Sequence, residues 1–281
     1  MKPIVAIIAP GSMGSGIGRR LVEHGIEVRT WLEGRSRDSA ERARSAGMVA
    51  VAEPQIAEAD LVLSIVPPGA AIAMAERLAP VLRAAARPPV YVDCNAVSPE
   101  TVRRIAAIIA GAQCPFVDAG IIGGPPRPNA AGPTIYASGE AAPRFAQLAR
   151  YGLEVSVIDG PIGAASTLKM SYAGITKGLT AIGAAMMLAA TRAGAAEALH
   201  RELGQSQPAL LAWLTRQMPG MYAKAYRWVA EMEEIAAFAG EDAAARQIFE
   251  GAARFYDAIA ADVGSSKAKV EALTAFVTPS A

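Results

Sequence analysis

Short apolar runs alternate with segments of helical spacing over the first 160 residues of the chain. The runs end at glycine, proline or charged residues, which is typical of buried strands. We predict eight strands, at Ile4–Ala9, Ile26–Leu32, Met48–Val51, Leu61–Val66, Val90–Asp93, Phe116–Ala119, Thr134–Ala137 and Glu154–Ile158. Helices are predicted between them, at Ser12–His24, Asp38–Ala46, Ala70–Ala85 and after Ser98-Pro99. This alternation predicts a mostly parallel sheet with helices on both faces.

The pattern changes after Gly163, where strand signals become rare and Ala, Leu, Met and Glu dominate. A long helix is predicted from about Ala164 to Arg192. Further helices are predicted at Pro208–Gln217, Tyr222–Ala239 and Ala243–Val263. The chain should therefore form an α/β domain over residues 1–162 and an all-helical domain over residues 163–281.

The long helix has two distinctive faces. Large apolar residues recur every three or four positions on one face, at Leu168, Tyr172, Ile175, Leu179, Ile182 and Met186. This face is expected to be an apolar seam that packs in a core. Small residues recur on another face, at Gly174, Gly178, Ala181 and Ala185, and suit close packing between two copies of the chain. We therefore expect a homodimer.

Composition and charge narrow the class of protein. Hydrophobic residues make up 52% of the chain and charged residues 19%, which indicates a globular protein. The net charge of +1 favours neither nucleic acid nor a membrane as a partner. Cys94 and Cys114 are expected to be reduced thiols, and no metal site is predicted. The apolar stretch Gly178–Ala190 is too short to span a bilayer, and the N-terminus shows no targeting pattern, so we expect a cytoplasmic protein.

A glycine-containing turn follows the first strand and opens the first helix, with the sequence Ala9-Pro10-Gly11-Ser12-Met13-Gly14. Glycine lets the backbone approach a pyrophosphate closely, and the helix N-terminus adds a partial positive charge. Ala9 replaces the first glycine of the usual G-x-G-x-x-G pattern. The strand–turn–helix setting nevertheless favours dinucleotide binding over an ordinary glycine turn, and predicts a Rossmann domain.

The end of the second strand bears on which dinucleotide binds. An acidic residue there would bind the ribose 2′-hydroxyl of NAD, whereas arginine would accommodate the 2′-phosphate of NADP. The chain has Leu32 at that place, Glu33 next, and then Arg35 and Ser36, which could hold a phosphate. NADP is the favoured cofactor. NAD with Glu33 as the ribose ligand remains the alternative, and a solvated basic loop is a third interpretation.

Four motifs in order resemble the β-hydroxyacid dehydrogenases, a group related to 6-phosphogluconate dehydrogenase. Gly11–Ile17 resembles the cofactor motif of the family, and Asp93–Pro99 resembles its D-x-S-T-x-S-P segment. Asp118–Gly124 is similar to the substrate loop, and Gly160–Gly163 with Lys169 six residues later is similar to the catalytic motif. The resemblance implies a Rossmann domain followed by an all-helical domain, pairing of two copies through the long helix, and an active site in the cleft between the domains.

The chain departs from the family pattern around the substrate. Ile122 stands where the family usually has a substrate-binding serine, and Tyr172 and Ala173 stand where it has two asparagines. The second lysine of the family, in a K-D motif, has no clear counterpart, and Arg227–Glu234 lies in that region. These differences resemble a branch with an uncharacterised, DUF1932-type C-terminal domain. They make a carboxylate-bearing substrate doubtful.

Lys169 is the predicted catalytic residue. A tuned lysine could protonate the alkoxide that forms during reduction, or accept the proton during oxidation. The alternative is a surface lysine that reaches water. Nine residues are predicted to bind the cofactor: Gly11, Ser12, Met13, Gly14, Arg35, Ser36, Val66, Pro67 and Asn95. Four are predicted to contact substrate: Ile122, Gly123, Gly124 and Tyr172.

Several of these assignments have alternatives. Tyr172 could instead belong to the apolar seam, and the loop Pro125–Pro128 could wall the pocket or be a rigid connector. The acids of Glu231–Glu234 are expected on a solvated helix face, unless one turns inward to recognise an amine. The predicted activity is reversible hydride transfer between NADP(H) and a small hydroxyl- or carbonyl-bearing substrate. Imine reduction, a non-catalytic nucleotide sensor and an S-adenosylmethionine-dependent methyltransferase remain alternatives.

Overall fold

The computed structural model describes residues 2–127 and 130–278. The chain forms two compact units, Met1–Met170 and Ser171–Ala281. Eight strands lie in the first unit: β1 (Ile4–Ile8), β2 (Glu27–Trp31), β3 (Val49–Val51), β4 (Leu61–Ser64), β5 (Val90–Asp93), β6 (Phe116–Ile122), β7 (Thr134–Ser138) and β8 (Glu154–Val157). Its helices are α1 (Ser12–Glu23), α2 (Arg37–Ser45), α3 (Ala71–Arg83), α4 (Pro99–Gly111) and α5 (Ala142–Ala146).

The strands form one sheet in the order β3-β2-β1-β4-β5-β6-β7-β8. Neighbouring strands are parallel except for β6 and β7, which are antiparallel. The predicted mostly parallel sheet is confirmed, and each predicted strand matches one strand of the structure.

Helices cover both faces of the sheet. Alternate residues of a strand point to opposite faces, so Val5 and Ile7 of β1 pack with α1, α2 and α5, whereas Ala6 and Ile8 pack with α3 and α4. Both faces of β1 are therefore apolar, which explains why this strand is a continuous apolar run and not an alternating one.

A row of buried polar residues crosses the sheet where several parallel strands end. Ile8 of β1 is paired in register with Ser64 of β4, Ser64 with Asp93 of β5, and Asp93 with Asp118 of β6. The antiparallel strand β7 continues the row with Ser138. Two carboxylates and two hydroxyls thus lie at neighbouring positions in the interior.

Helix α6 (Ala164–Arg192) begins in the first unit and continues into the second, with the predicted bounds. The other helices of the second unit are α7 (Ala196–Ser206), α8 (Pro208–Tyr222), α9 (Ala225–Phe238), α10 (Ala243–Val263) and α11 (Ala268–Val277). Helices α9 and α10 pack closely, and the rings of Trp228 and Tyr256 meet edge-to-face with centroids 5.1 Å apart. The all-helical C-terminal region is confirmed. Helices α7 and α11 were not predicted.

The exposure of the two predicted faces of α6 differs from the expectation. Gly174 and Gly178, expected to face a second copy, lie against the ring of Phe249 on α10 of the same unit. The predicted apolar seam is instead exposed, because its members from Tyr172 to Met186 are each 45–64% accessible to solvent. The prediction that this seam packs in the core of the chain was wrong.

The apolar stretch Gly178–Ala190, which is too short to span a bilayer, is only part of the longer helix α6. The whole helix has 29 residues and is, by length and composition alone, long and apolar enough to cross a membrane. However, 44% of its most apolar window is buried inside the protein. Together with its packing against α10, this makes α6 a partly buried core helix.

Candidate active site

The turn between β1 and α1 has open space at one glycine and a tight contact at the other. A Cβ atom at Gly14 would overlap the carbonyl oxygen of Ala9, so this position requires glycine for the helix to lie against the strand. A Cβ atom at Gly11 would meet nothing within 4 Å. Gly11 is the N-cap of α1, and Ser12 beside it is exposed. The turn therefore offers an accessible helix N-terminus of the kind that binds a pyrophosphate.

Arginine side chains surround the indole of Trp31 at the end of β2. The guanidinium of Arg77, from α3, lies 4.1 Å from the ring centroid, and that of Arg35 lies 5.8 Å away. Glu53 pairs with Arg77, at 2.6 Å from its Nε. Among the described residues, no carboxylate pairs with Arg35. Burial, and to a lesser degree the nearby charge of Arg77, lower the pKa of Arg35.

Ser36 has a structural role that the sequence analysis did not assign. It is the N-cap of α2, and its Oγ accepts a hydrogen bond from Ser39 N at 3.3 Å. Arg42, one turn further along α2, donates to Ser39 Oγ at 3.0 Å and to the Pro10 carbonyl at 3.2 Å. Arg42 therefore links α2 to the turn that carries Gly11.

Glu33 accepts a hydrogen bond from the Trp31 indole at 3.3 Å and is exposed. Its carboxylate thus lies at the same strand end as Arg35. The geometry accordingly keeps both the ribose-binding and the phosphate-binding interpretations of this strand end open.

Asn95 ties together the ends of β4 and β5. Its Oδ1 accepts from Val66 N at 2.7 Å, and its Nδ2 donates to Asp93 Oδ2 at 3.0 Å and to Ser64 Oγ at 3.1 Å. The amide is buried and engaged on both sides. Asn95 thus fixes the backbone at Val66, because the Val66 N–H donates to its side chain. The next residue, Pro67, is exposed.

The buried Asp93 carboxyl predicts a pH dependence of stability. Burial, opposed by hydrogen bonds from Asn95 and aided by the charge of Asp118, raises the pKa of Asp93 to about 7. The folded protein keeps this proton between about pH 4 and pH 7, whereas the unfolded chain loses it, so stability falls as the pH rises through that window. The slope is at most about 1.4 kcal/mol per pH unit.

Urea unfolding of the wild type and of Asp93→Asn at about pH 5 and pH 7 measures this slope. We expect the wild type to lose stability relative to the variant at the higher pH, because the variant has no proton to release there. A constant difference between the two proteins would contradict the assignment to Asp93.

Lys169 lies on the second turn of α6 beside the end of β6. Its Nζ donates a hydrogen bond to the carbonyl oxygen of Ile121 at 2.7 Å. Gly120 makes this approach possible, since a Cβ atom there would lie 3.0 Å from Lys169 Cβ. The lysine is only partly buried. An ammonium group is therefore held at the end of a strand, next to the predicted substrate loop.

Most of the predicted substrate loop, Asp118–Gly124, lies within β6, which ends at Ile122. Ile122 is partly buried, and Gly123 and Gly124, which follow the strand, are exposed. Gly123 has a φ of +127°, which disfavours any other residue type. Tyr172 follows Lys169 by three residues on α6 and is 49% exposed. Pro128, the last residue of the proline-rich loop, lies outside the described residues.

One acid of the Glu231–Glu234 run is not on a solvated face. Glu231 forms an ion pair with Lys177, and both side chains are about 15% exposed. The Lys177 ammonium also lies 5.1 Å from the Trp228 ring centroid. Burial lowers the pKa of Lys177, and Glu231 opposes this shift. The expectation of a solvated run was wrong for Glu231.

Comparison with known proteins identifies the family. Residues 4–158, more than half of the chain, match the model of the NAD binding domain of 6-phosphogluconate dehydrogenase. The chain belongs to this family. Residues 190–259 match a domain of unknown function, DUF1932. The family contains NAD(P)-dependent dehydrogenases, and both resemblances proposed from the sequence are confirmed.

Relatives of this 6-phosphogluconate dehydrogenase-like chain include proteins without an assigned activity. The conserved protein MTH1747, of unknown function and described as structurally similar to 3-hydroxyacid dehydrogenases, is 32% identical with a TM-score of 0.68, over 90% of this chain and 98% of that one. An uncharacterised 28.5 kDa protein of Methanothermus fervidus is 32% identical over 56% of this chain, and the match spans 59% of its length. The Mycobacterium tuberculosis 3-hydroxyisobutyrate dehydrogenase shares the fold, with a TM-score of 0.69 over 97% of this chain and 99% of that one, at 21% identity.

The geometry adds functional candidates in this family member that the sequence reasoning missed. Arg77 lies on α3, far in sequence from Trp31, and no local pattern marks it. Arg42 lies in a charged helix among other charges. Asp118 lies within the motif that resembles the substrate loop, but its hydrogen-bond partners Ser138, Gly163 and Ser166 lie 20, 45 and 48 residues further along the chain. Only tertiary structure brings these groups to their partners.

Proposed function

We propose that this protein is an oxidoreductase that transfers a hydride between NADP(H) and a small hydroxyl- or carbonyl-bearing substrate, with Lys169 as the general acid and base. The position of Lys169 Nζ, 2.7 Å from the Ile121 carbonyl and next to the Gly123-Gly124 loop, carries this proposal. The family supports the cofactor class, and the accessible N-terminus of α1 suits a pyrophosphate.

The residues of the chain have separate tasks in this mechanism. When bound, the nicotinamide dinucleotide supplies or accepts the hydride. In reduction, the Lys169 ammonium gives a proton to the oxygen that becomes a hydroxyl; in oxidation, the neutral amine accepts that proton. The Ile121 carbonyl orients the lysine by accepting one of its hydrogen bonds. Gly123 and Gly124 are exposed, and their lack of side chains would let a substrate oxygen approach the backbone closely.

An activity screen tests the proposal. The purified protein is mixed with NADPH and one test compound at a time, which is an aldehyde, a ketone, a semialdehyde or a cyclic imine. The absorbance of the reduced nicotinamide is followed. We expect oxidation of NADPH by a carbonyl compound, and the reverse reaction with its alcohol and NADP⁺. Turnover of imines alone would contradict carbonyl chemistry. Tight NADPH binding without any turnover would favour a nucleotide sensor.

Arg35 supports the preference for NADP. It is a half-buried cation stacked near Trp31, with no carboxylate partner among the described residues and with a second cation nearby. A 2′-phosphate placed there would neutralise it. Ser36, the N-cap of α2, donates to Ser39 Oγ, which also accepts a hydrogen bond from Arg42 of the last turn. Arginine suits this task because its planar guanidinium group can donate two parallel hydrogen bonds to phosphate oxygens.

Replacing Arg35 should therefore weaken one cofactor selectively. We expect Arg35→Ala to lower NADPH affinity about 10- to 100-fold, the value of a charged hydrogen bond, and to leave NADH affinity within about twofold. Fluorescence titration with both cofactors measures this. Arg37→Ala, at the exposed first residue of α2, is the matched control. An equal loss for both cofactors, or a larger selective loss at Arg37, would contradict the role of Arg35.

We further propose that two copies pair through the exposed face of α6. Its residues Tyr172, Ile175, Leu179, Ile182 and Met186 alternate spacings of three and four, which is the pattern of a helix–helix seam. A large apolar face of this kind on one helix is unusual for a monomer. Pairing of identical faces about a two-fold axis would bury it.

A charge in the middle of that face should separate the copies. We expect Ile182→Lys to convert a dimer into a monomer in sedimentation velocity measurements. Ile248→Lys is the matched control, because Ile248 is 55% exposed on α10 and outside the seam. A monomeric wild type, or an Ile182→Lys variant that still sediments as a dimer, would refute the pairing.

We propose a cytoplasmic location, in agreement with two buried free cysteines, Cys94 and Cys114. Burial raises the pKa of both thiols, which keeps them protonated and unreactive. Among the described residues, no group of three or more His, Cys, Asp and Glu side chains is arranged to hold a metal ion.

A further inference from the structure

A buried carboxylate holds the start of α6 against β6. The Asp118 side chain is fully buried, and its Oδ2 accepts hydrogen bonds from Gly163 N at 2.9 Å and from Ser166 N at 3.1 Å. Its Oδ1 accepts from Ser166 Oγ at 2.6 Å. Backbone N–H groups at a helix N-terminus favour a negative charge. One side chain of β6 therefore ties down the first turn of α6.

Ser138 of β7 adds two hydrogen bonds between the sheet and the start of α6. Its Oγ donates to Asp118 Oδ2 at 3.0 Å and accepts from Ala165 N at 3.1 Å. At Gly120 the helix backbone lies directly on the strand, since a Cβ atom there would come within 2.9 Å of the Ala165 carbonyl oxygen. The first turn of α6 thus has no room to shift towards β6 and is held against moving away.

Lys169 is the next residue on this helix to contact β6. It lies three residues after Ser166, which is slightly less than one helical turn, and its Nζ donates to the Ile121 carbonyl. Asp118 and Ile121 belong to the same strand. The lysine is therefore fixed at both ends, by its backbone through Asp118 and by its ammonium group through Ile121.

We infer that Asp118, acting through Ser166 and Ser138, is a positioning residue that sets the place of Lys169 Nζ for proton transfer. This inference rests on the proposed role of Lys169. The Asp118 carboxylate is fully buried, and its oxygens accept hydrogen bonds from Ser138, Gly163 and Ser166. In Asp118→Asn, one oxygen becomes an NH₂ group, which cannot accept from the N–H and hydroxyl donors around it. The start of α6 would then loosen, and Lys169 would lose its fixed contact.

Chemical labelling measures this effect without any turnover. Acetic anhydride is applied across a range of pH, and the acetylation of Lys169 is quantified by peptide mass spectrometry, with the exposed Lys267 as internal reference. In Asp118→Asn and Ser166→Ala we expect the titration midpoint of Lys169 to move by at least about half a pH unit, equivalent to about threefold in the equilibrium constant. Ser166→Ala keeps the test valid if Asp118→Asn does not fold.

Asp242→Asn is the matched control, because Asp242 also caps a long helix. Its Oδ1 accepts from Ala244 N and Ala245 N at 3.0 Å, at the start of α10. We expect this variant to leave the labelling of Lys169 unchanged, because the amide oxygen of Asn can still cap α10. An unchanged Lys169 midpoint and rate in both Asp118→Asn and Ser166→Ala would overturn the inference.

Turnover separates this inference from the proposed function. With an active substrate, Asp118→Asn should lower kcat about tenfold, keep the KM for NADPH within about twofold, and shift the pH–rate limb together with the labelling midpoint. A wild type without turnover would refute the proposed function, while the labelling result would still decide the position of Lys169. An active wild type with unchanged Lys169 labelling in both variants would refute the role of Asp118 alone.

Discussion

Lys169→Ala is expected to lower kcat by about 100- to 10,000-fold, the usual value of a general acid or base, while NADPH binding stays unchanged. The reason is that the lysine contacts the end of β6, and the phosphate-binding turn lies on β1 and α1. Steady-state kinetics and a cofactor titration on the same preparation measure both quantities.

Two further variants at this position sharpen the result. Lys169→Arg keeps a positive charge but cannot release its proton at ordinary pH, so we expect it to remain nearly inactive. Lys169→Met keeps most of the side-chain volume without the charge and should behave like Lys169→Ala. Substantial activity in the arginine variant would show that the charge matters and proton transfer does not. Full activity in all three would remove Lys169 from the mechanism.

Gly14→Ala is expected to lower the stability of the protein, whereas Gly11→Ala should keep its stability and weaken its binding of NADPH. At Gly14 the new methyl group would overlap the Ala9 carbonyl oxygen, so we expect a loss of at least about 2 kcal/mol in the free energy of unfolding. At Gly11 it would meet open space, with a backbone φ of −69° that alanine adopts readily. Stability should then change by less than about 0.5 kcal/mol.

The binding measurement completes this comparison. The methyl group of Gly11→Ala would project over the N-terminus of α1, where a pyrophosphate is expected, so NADPH affinity should fall at least about tenfold. Urea unfolding and cofactor titration of both variants give the two quantities. A Gly11→Ala protein that binds NADPH like the wild type would contradict the placement of the cofactor on this turn.

The sheet was predictable from sequence because its physical causes are local. Strands such as Val90–Asp93 are short apolar runs bounded by turn residues, and both faces of the sheet are buried, so the runs are continuous. The bounds of α6 were also predictable, since Gly163 precedes the helix and Gly194 follows it, both with positive φ. In contrast, α7 contains no buried residue, and its short length and few large apolar residues gave only a weak helical pattern.

The roles of the faces of α6 could not be predicted from spacing. Periodicity shows that Tyr172 and Ile182 share a face, but it does not say whether that face meets the same chain or another one. The same holds for the site. Glycine turns and the Lys169 motif have local signatures, whereas the Arg77–Trp31 contact and the Asp118–Ser166 hydrogen bonds join residues far apart in sequence.

We propose that the first unit binds NADP(H) and that the cations near Trp31 make it prefer NADP(H) over NAD(H). Paired fluorescence titration of the wild-type protein with NADPH and NADH measures both affinities. We expect saturable binding of both, with NADPH at least about tenfold tighter, as expected for one charge-assisted phosphate contact. Tighter binding of NADH would reassign the strand end to Glu33 as a ribose ligand, and no binding of either cofactor would refute the assignment of this unit as a dinucleotide-binding domain.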